Sequence, residues 1–261
     1  MHNANNANLD GAIILPNHKL DLKTALKKGF RGLNMDVGTC FDKVTLLHAS
    51  CLLKTKIPIK IVMKEILSFL DDNPNEVIIL PTEIPEDSFL LGPPPTLAQV
   101  DEVFQSVDGW KEKMYDHPGP GNAWPTLQEL IDTDKRIIYF FYRGERCTKG
   151  VDCPVGFHPW FDYAAETQFS FPFIWSFDDK AYACEITRGG SGTRDFFGVN
   201  VFTTPARFFS PILRVHKADF LRTHLQACKD LNGGLQPNVV LVDFWKVGDV
   251  MKVVDELNAA L

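Results

Sequence analysis

Four short, nearly continuous apolar segments constrain most strongly what this chain can fold into. They are FRGLNMDV around residues 30–37, EVIILPTE at 76–83, KRIIYFFY at 135–142 and NVVLVDFW at about 238–245. Short runs rich in β-branched and aromatic residues are typical of strands that are buried on both faces of a parallel sheet. The sequence therefore predicts four such strands.

Amphipathic helical patterns alternate with these strands. The predicted helices cover residues 20–28, 61–70, 218–231 and 250–261, with Gly, Asn or Pro as stop signals after the first three. Helix alternating with buried strand predicts an α/β fold, and 261 residues favour a (β/α)8 barrel over an open sheet, as one domain spanning residues 1–261. Residues 92–96, 116–126 and 155–177 are irregular and predict loops with short elements between them.

Charge and hydropathy argue against a nucleic-acid partner and against a membrane-spanning segment. The net charge of −6 comes from scattered acids and bases, so the chain has no basic stripe for nucleic acid. No apolar run approaches the roughly 20 residues that span a bilayer, and the first residues show no basic-then-apolar signal segment. Nothing in the sequence indicates an obligate protein partner.

The six cysteines fall in order as Cys40 and Cys51, Cys147 and Cys153, and Cys184 and Cys228. Fifteen pairings are possible, but neighbours that bracket short loops indicate disulfides and an oxidising, extracellular or vacuolar compartment. Six buried thiols in a cytosolic protein remain an alternative. A zinc site of Cys40, His48 and Cys51 is a third, although its spacing fits none of the usual zinc motifs.

Polar residues interrupt three of the predicted strands near their carboxyl ends, where chemistry sits in parallel α/β folds. Asn34 and Asp36 alternate and so point to one side of their strand, Glu83 closes its strand, and Asp243 lies within the last. A carboxylate in an apolar strand costs several kcal/mol unless it is paired or bound to a metal. Each acid is therefore expected to have a partner, and a structural ion pair or an exposed loop position is the alternative to a functional role.

Two histidines sit where other strand ends would be. His2 is followed by Asn3 at the start of the chain, and His48 follows the apolar run from Val44 to Leu47. Histidine titrates near neutral pH and can move protons, while acids and amides can hold a cation. Convergence of these residues on one barrel mouth predicts an acid–base site.

Several stretches, taken together, resemble one family. HNA at 2–4, GFRGLNMDV at 29–37, LLHASC at 46–51, ILSFLDDNPNEVIILPTE at 66–83, WPTLQELI at 124–131 and PNVVLVDFW at 237–245 are similar to the X-domain of phosphatidylinositol-specific phospholipases C. The small, single-domain members are the nearest in appearance. The resemblance runs in order along most of the chain and is poor between about 145 and 200.

The resemblance implies a distorted (β/α)8 barrel that cleaves the glycerol–phosphate bond of an inositol phospholipid, or a glycosylated form of it, with two histidines. By position, His2 and His48 match the catalytic pair: one would help the inositol 2-hydroxyl attack phosphorus and the other would protonate the leaving diacylglycerol. The product would be a cyclic inositol phosphate. Proton transfer at neutral pH suits groups with a pKa near 6.5.

The resemblance also implies a divalent cation, calcium before magnesium. Asn3, Asp36 and Glu83 fall on the positions of the family's calcium ligands, and all carry hard oxygens. Asn34 stands where the animal signalling enzymes carry a glutamate, so it would add a neutral oxygen and calcium affinity should fall. Bacterial relatives that need no calcium have an arginine at the position of Asp36.

Three further residues are candidates for roles at the site. Asp243, on a strand that would adjoin the first in a closed barrel, is expected to orient His2 by a carboxylate–histidine hydrogen bond. Arg188 and Arg194 flank GGSG and could bind headgroup phosphates, although a solvated loop is the plainer interpretation.

Two other functions stay open: a glycerophosphodiesterase or sphingomyelinase D-like enzyme of the same superfamily, and a catalytically weak lipid-binding barrel. The lipid substrate implies peripheral membrane contact, for which Phe169, Phe171, Phe173 and Trp175 are candidates if they are exposed. In the family the His-Asn pair follows the first barrel strand. This chain is therefore expected to lack that strand, and the natural product to be longer, with an export signal upstream.

Overall fold

The computed structural model describes residues 1–4, 17–18, 21–47, 57–84, 94–142, 146–190, 194–204 and 213–259. These residues form two compact units. The N-terminal unit contains residues 3–4 and the described residues between 21 and 160, and the C-terminal unit contains residues 1–2, 17–18 and the described residues from 161 onward.

The N-terminal unit is built on a sheet that has five strands among its described residues. The strands are β1 (Met35–Cys40), β2 (Lys43–Leu46), β3 (Ile78–Glu83), β4 (Ile137–Tyr142) and β5 (Phe157–Pro159). Their order is β2-β1-β3-β4-β5, with β1 and β2 forming an antiparallel hairpin and every other pairing parallel. Its helices are α1 (Leu22–Lys27), α2 (Ile59–Asp72), α3 (Leu97–Gln105), α4 (Trp110–Lys113) and α5 (Leu127–Asp132).

The core of this unit is apolar and aromatic, as the continuous apolar strands predict. Every residue of β4 is buried, and β3 and β5 pair with it on either side. Phe104 of α3 packs edge-on against Tyr139 of β4, with ring centroids 4.9 Å apart. Threonines cap α3 and α5, and each forms a reciprocal capping box with the residue three positions later.

The C-terminal unit holds a second sheet, with four strands among its described residues. They are β6 (Ala164–Thr167), β7 (Ile186–Arg188), β8 (Phe196–Val201) and β9 (Val239–Val242). The order is β7-β6-β8-β9, with β7 antiparallel to β6 and the others parallel. Helix α6 (Trp160–Tyr163) precedes β6, a 3₁₀ helix covers Ile174–Asp178, and α7 (Lys180–Cys184), α8 (Ala218–Leu231) and α9 (Val250–Ala259) follow.

The four strands predicted from apolar runs are confirmed as β1, β3, β4 and β9, although β1 lies later in the chain than predicted. β1 starts at Met35 rather than near residue 30, and Gly32 forms only a single bridge with Ile79. The helices predicted at 20–28, 61–70, 218–231 and 250–261 correspond to α1, α2, α8 and α9. The irregular middle contains more structure than predicted, since β6 and β8 form the centre of the second sheet.

Disulfides confirm two of the predicted cysteine pairs. Cys147 bonds to Cys153, and Cys184 bonds to Cys228, which joins α7 to α8. Cys40 is also disulfide-bonded, so the buried-thiol alternative is wrong for every cysteine that the structure describes. Cys51 and His48 lie outside the described residues, and a disulfide at Cys40 leaves that thiol unavailable to the considered zinc site. Disulfides are compatible with an extracellular or lumenal location.

Across the ranges that the structure describes, no helix combines the length and the apolar character that crossing a membrane requires.

Candidate functional site

His2 and Asp243 form a hydrogen-bonded pair in the C-terminal unit. Asp243 directly follows β9, and its Oδ1 accepts a hydrogen bond from His2 Nδ1 at 2.9 Å. The carboxylate side chain is only 1% exposed, whereas the imidazole is 21% exposed. Because Nδ1 donates to the carboxylate, Nε2 of a neutral His2 is the ring nitrogen with a free lone pair for proton transfer.

The parallel register of β8 and β9 explains what surrounds the imidazole. Val201 lies beside Val242, so Phe202 and Asp243 leave the sheet at the same edge. The Phe202 ring stacks on His2, with centroids 3.6 Å apart and planes within 5° of parallel. The His2 backbone N–H donates to the Val242 carbonyl at 3.0 Å, which attaches the histidine to the end of β9. Both the ring and the backbone of His2 are thus held.

Two neighbouring residues that the sequence interpretation missed also contact this pair. Asn17 Nδ2 donates to Asp243 Oδ1 at 2.9 Å, and His18 Nε2 donates to the His2 carbonyl at 2.6 Å. Burial lowers the pKa of His18 to about 4, against the opposing attraction of the Asp243 carboxylate. His18 is therefore neutral at physiological pH. The dipeptide follows the apolar run from Ala12 to Leu15 and Pro16, so its place after an apolar run, like that of His48, could have drawn attention to it.

A second polar cluster lies in the N-terminal unit around Asn34. This side chain is buried, its Oδ1 accepts from the backbone N–H of Asn3 at 3.1 Å, and its Nδ2 donates to the Tyr142 hydroxyl at 2.7 Å. The Asn34 carbonyl also accepts from the N–H of Ala4 at 2.7 Å. Asn34 therefore fixes the backbone just after His2 in the sequence. Tyr142 was missed, although it ends its strand as Glu83 ends its own.

Two carboxylates stand side by side next to this cluster. Asp36 of β1 lies opposite Glu83 of β3, and Glu83 lies opposite Tyr142 of β4. Both acids are half-buried; Asp36 is the second residue of β1 and Glu83 is the last residue of β3. Two adjacent carboxylates and the amide oxygens of Asn3 and Asn34 are the hard donors that calcium and magnesium prefer, so the residue set fits a divalent cation.

A third buried polar group occupies the C-terminal unit. Glu166 of β6 is 2% exposed and forms an ion pair with Arg188 of β7, and Asn200 Nδ2 lies 3.5 Å from the same carboxylate oxygen. Gly198 lies opposite Glu166, where a Cβ would come within 2.9 Å of Glu166 Cγ. A glycine at that position gives the carboxylate its space. Arg188 stood out in the sequence, but Glu166 and Asn200 were missed, because the chain resembles the family poorly between about 145 and 200.

The structure thus gives each predicted arginine a protein partner. The Arg188 guanidinium, besides its bond to Glu166, lies 4.3 Å from the centre of the Phe169 ring. Arg194 Nε and Nη2 both donate to the Gly189 carbonyl, at 3.0 and 2.8 Å. Their assignment to headgroup phosphates stays a prediction, as does the role of His48, which lies outside the described residues.

Comparisons with known proteins agree with the resemblance seen in the sequence. The family model described as PI-PLC X 1 matches residues 2–258. The chain belongs to the PI-PLC X family. It is also 27% identical to "PI-PLC X domain-containing protein 1" of Arthroderma benhamiae, over 98% of this chain and 83% of that protein.

Solved structures of PI-PLC enzymes share the fold. The F249X mutant of the phosphatidylinositol-specific phospholipase C of Staphylococcus aureus superposes with a TM-score of 0.64 at 16% identity, covering 97% of this chain and 89% of that one. The enzyme of Listeria monocytogenes superposes with a TM-score of 0.59 at 14% identity, covering 99% and 90%. The predicted fold class, an α/β fold of the distorted-barrel kind, is confirmed.

Proposed function

We propose that this PI-PLC X protein is a phosphodiesterase that cleaves the glycerol–phosphate bond of an inositol phospholipid, or of a glycosylated form of it. The observation that carries the proposal is the His2–Asp243 pair, because it fixes the tautomer of His2 and leaves Nε2 available to take or give a proton. Asp243 also stabilises the imidazolium that forms when His2 takes a proton. General acid–base catalysis needs a group of this kind with a pKa near the working pH.

His48 is proposed as the second proton-transfer residue, on the strength of its position in the family pattern. In the reaction, one histidine removes the proton of the inositol 2-hydroxyl, whose oxygen forms a bond to phosphorus. The bond from phosphorus to the glycerol oxygen breaks, and the other histidine protonates that oxygen. The products are diacylglycerol and a cyclic inositol phosphate, which is then released or hydrolysed.

A divalent cation, calcium first and magnesium second, is proposed to bind Asp36 and Glu83 with the amide oxygens of Asn3 and Asn34. A cation supplies positive charge that offsets the charge developing on the phosphate. Asn34 contributes no charge, and its amide is already engaged with Asn3 and Tyr142. Affinity should accordingly be weaker than for a site with a third carboxylate.

Peripheral membrane contact is proposed at the loop that follows β6. Phe173 and Trp175 are 39% and 61% exposed there, and their rings stack with centroids 4.4 Å apart. Thr204, which comes shortly after β8, donates hydrogen bonds to the Phe169 and Phe171 carbonyls. The loop therefore lies at the carboxyl-terminal end of β8, the same end at which Phe202 stacks on His2. Exposed tryptophan prefers the lipid–water interface. One solved structure of the S. aureus enzyme concerns modulation of its membrane binding.

A lipid-cleavage assay tests the proposed function. Phosphatidylinositol in mixed micelles is incubated with the wild-type protein, His2→Ala, His48→Ala and, as a matched control on the exposed face of α8, Gln226→Ala. Wild type and the control should release diacylglycerol, and both histidine variants should lose at least about 100-fold in kcat. Cleavage that neither histidine substitution changes contradicts the mechanism.

The same assay separates the alternatives. Chelation of calcium should lower the wild-type rate, and added calcium should restore it. Cleavage of glycerophosphodiesters or sphingomyelin in preference to phosphatidylinositol would assign the chain to the other branch of the superfamily. Binding to inositol-lipid vesicles without turnover would leave a lipid-binding barrel.

A further inference from the structure

The buried dipeptide Asn17-His18 contacts the His2–Asp243 pair from a separate part of the chain. Asn17 is 1% exposed and His18 is completely buried. Both residues belong to the C-terminal unit, with His2 and Asp243. Buried this deeply, neither side chain is available to a lipid headgroup, so a role in binding or proton transfer does not explain them.

Asn17 holds Asp243 through two hydrogen bonds. Its Nδ2 donates to Asp243 Oδ1, the same oxygen that accepts from His2, and its carbonyl accepts the backbone N–H of Phe244 at 2.6 Å. The first bond fixes the rotation of the carboxylate, and the second fixes the peptide that follows it. Phe244 has a φ of 46°, a left-handed conformation that a phenylalanine rarely adopts without such support.

His18 holds the backbone of His2. Its Nε2–H donates to the His2 carbonyl, while the His2 N–H donates to Val242. Both backbone polar groups of His2 are therefore bonded, and its ring is held by Asp243 and Phe202. His18 Nδ1 is buried and has no hydrogen-bond partner among the described residues, so this part of the fold keeps the imidazole in place through its other nitrogen.

We infer that Asn17 and His18 are positioning residues: Asn17 sets the orientation of the Asp243 carboxylate and His18 sets the backbone position of His2, so that together they aim His2 Nε2. This inference rests on the proposed function for its kinetic consequences, and on the hydrogen bonds alone for its structural ones. A misplacement of about 1 Å in a catalytic group can cost on the order of 100-fold in rate.

Three variants test the inference. His18→Leu removes the donor to the His2 carbonyl, whereas His18→Gln keeps an N–H donor at nearly the same distance from the backbone. Asn17→Ala removes the bond to Asp243 and leaves the backbone acceptor for Phe244 intact. The readouts are kcat and KM on short-chain phosphatidylinositol below its micelle concentration, and the downfield proton NMR signal of His2 Nδ1–H bound to Asp243.

His18→Leu and Asn17→Ala should each lower kcat by about 10- to 100-fold with KM changed less than about 2-fold, because substrate contacts are untouched. Both should weaken or shift the His2 Nδ1–H signal. His18→Gln should stay within about 3-fold of wild type and keep the signal. Thermal melting accompanies each variant, and Asn17→Ala carries the test if His18→Leu does not fold.

Two results overturn the inference: folded His18→Leu and Asn17→Ala proteins with wild-type kcat and an unchanged signal, or equal losses in His18→Gln and His18→Leu. A wild-type protein that cleaves no phosphodiester would instead refute the proposed function. In that case the NMR signal still decides whether Asn17 and His18 hold the His2–Asp243 pair.

Discussion

Asp243→Asn preserves the shape of the side chain and removes its charge. In the wild type, Asp243 Oδ1 accepts from His2 Nδ1 and from Asn17 Nδ2, each at 2.9 Å. An asparagine oxygen can still accept both bonds, so the local packing should survive. The loss is the negative charge that stabilises His2 when it takes a proton, together with the preference for one tautomer.

The magnitude follows from the burial of the carboxylate, which is 1% exposed. A hydrogen bond to a charged partner contributes about 1.5–3 kcal/mol against about 1 kcal/mol for a neutral one. Loss of the tautomer preference adds to this difference, and a total of about 2–4 kcal/mol in the transition state corresponds to about a 30- to 1000-fold fall in kcat. The equivalent change in a Ser-His-Asp triad costs about 10⁴-fold, which sets an upper bound.

The assay is phosphatidylinositol cleavage at saturating substrate, with the thermal midpoint measured on the same samples. Asp249→Asn is the matched control, since Asp249 accepts the backbone N–H of Ala218 at the start of α8 and asparagine can do the same. Stability should change little, because the substitution removes a buried charge whose Oδ2 has no hydrogen-bond partner within the described part of the chain. A folded Asp243→Asn protein with wild-type kcat would refute the reasoning.

Replacing Cys184 and Cys228 with serine should lower the free energy of unfolding by about 4 kcal/mol, because their disulfide closes a loop with a sequence separation of 44. Chemical denaturation measures this loss, and a value under about 1 kcal/mol would contradict the prediction. Trp175→Ser should weaken binding to phosphatidylinositol vesicles several-fold in a sedimentation assay without changing turnover of a monomeric substrate, and equal vesicle binding would remove the proposed membrane contact. Arg188→Met should lower the free energy of unfolding by about 3–5 kcal/mol, because it leaves the buried Glu166 carboxylate without its ion-pair partner. An unchanged thermal midpoint would show that this carboxylate needs no such partner. Burial lowers the pKa of His158 from 6.5 to about 4, so the unfolded chain binds the proton before the folded chain does as pH falls. Up to about 3 kcal/mol of stability should therefore be lost between pH 6.5 and 4. Melting measured across this pH range should show a flatter profile for His158→Gln than for the wild type.

Continuous apolar strands made most of the N-terminal unit predictable. β4 is buried at all six positions and β3 at four of six, so most residues carry the apolar signal, and Glu83 stands out as the polar residue that ends β3. The same logic singled out Asp243, which was predicted within the last strand and lies just after β9. Its partner His2 was placed by family resemblance, and in the structure the two side chains are hydrogen-bonded.

The second sheet was harder to predict because its central strands contain buried polar residues whose partners lie on neighbouring strands. β6 is only four residues long and contains Glu166, whose burial depends on Arg188 from β7 and on the space beside Gly198. A strand whose polar side chain is satisfied by a distant residue has no apolar signature of its own. Tertiary pairing, which no local window contains, decides its conformation.

The residues that hold His2 were missed for a related reason. Asn17 and His18 act through hydrogen bonds to residues far away in the chain, so the periodicity of their own segment does not reveal these roles. Phe202 contacts His2 by stacking at the end of β8, a strand that the sequence interpretation did not find. Contacts of this kind become visible only when the register of neighbouring strands is known.

The left-handed conformation of Asn3 narrows which residues the chain can use there. Its φ is 46°, its side chain is buried, and its N–H bonds to the Asn34 side chain. Among residues with a side-chain oxygen, asparagine and aspartate adopt this conformation most readily. A single exchange between these two residues would therefore change the local charge by one unit while leaving the chain path intact. Natural variation at this position would adjust the affinity of the proposed cation site without disturbing the histidine that precedes it.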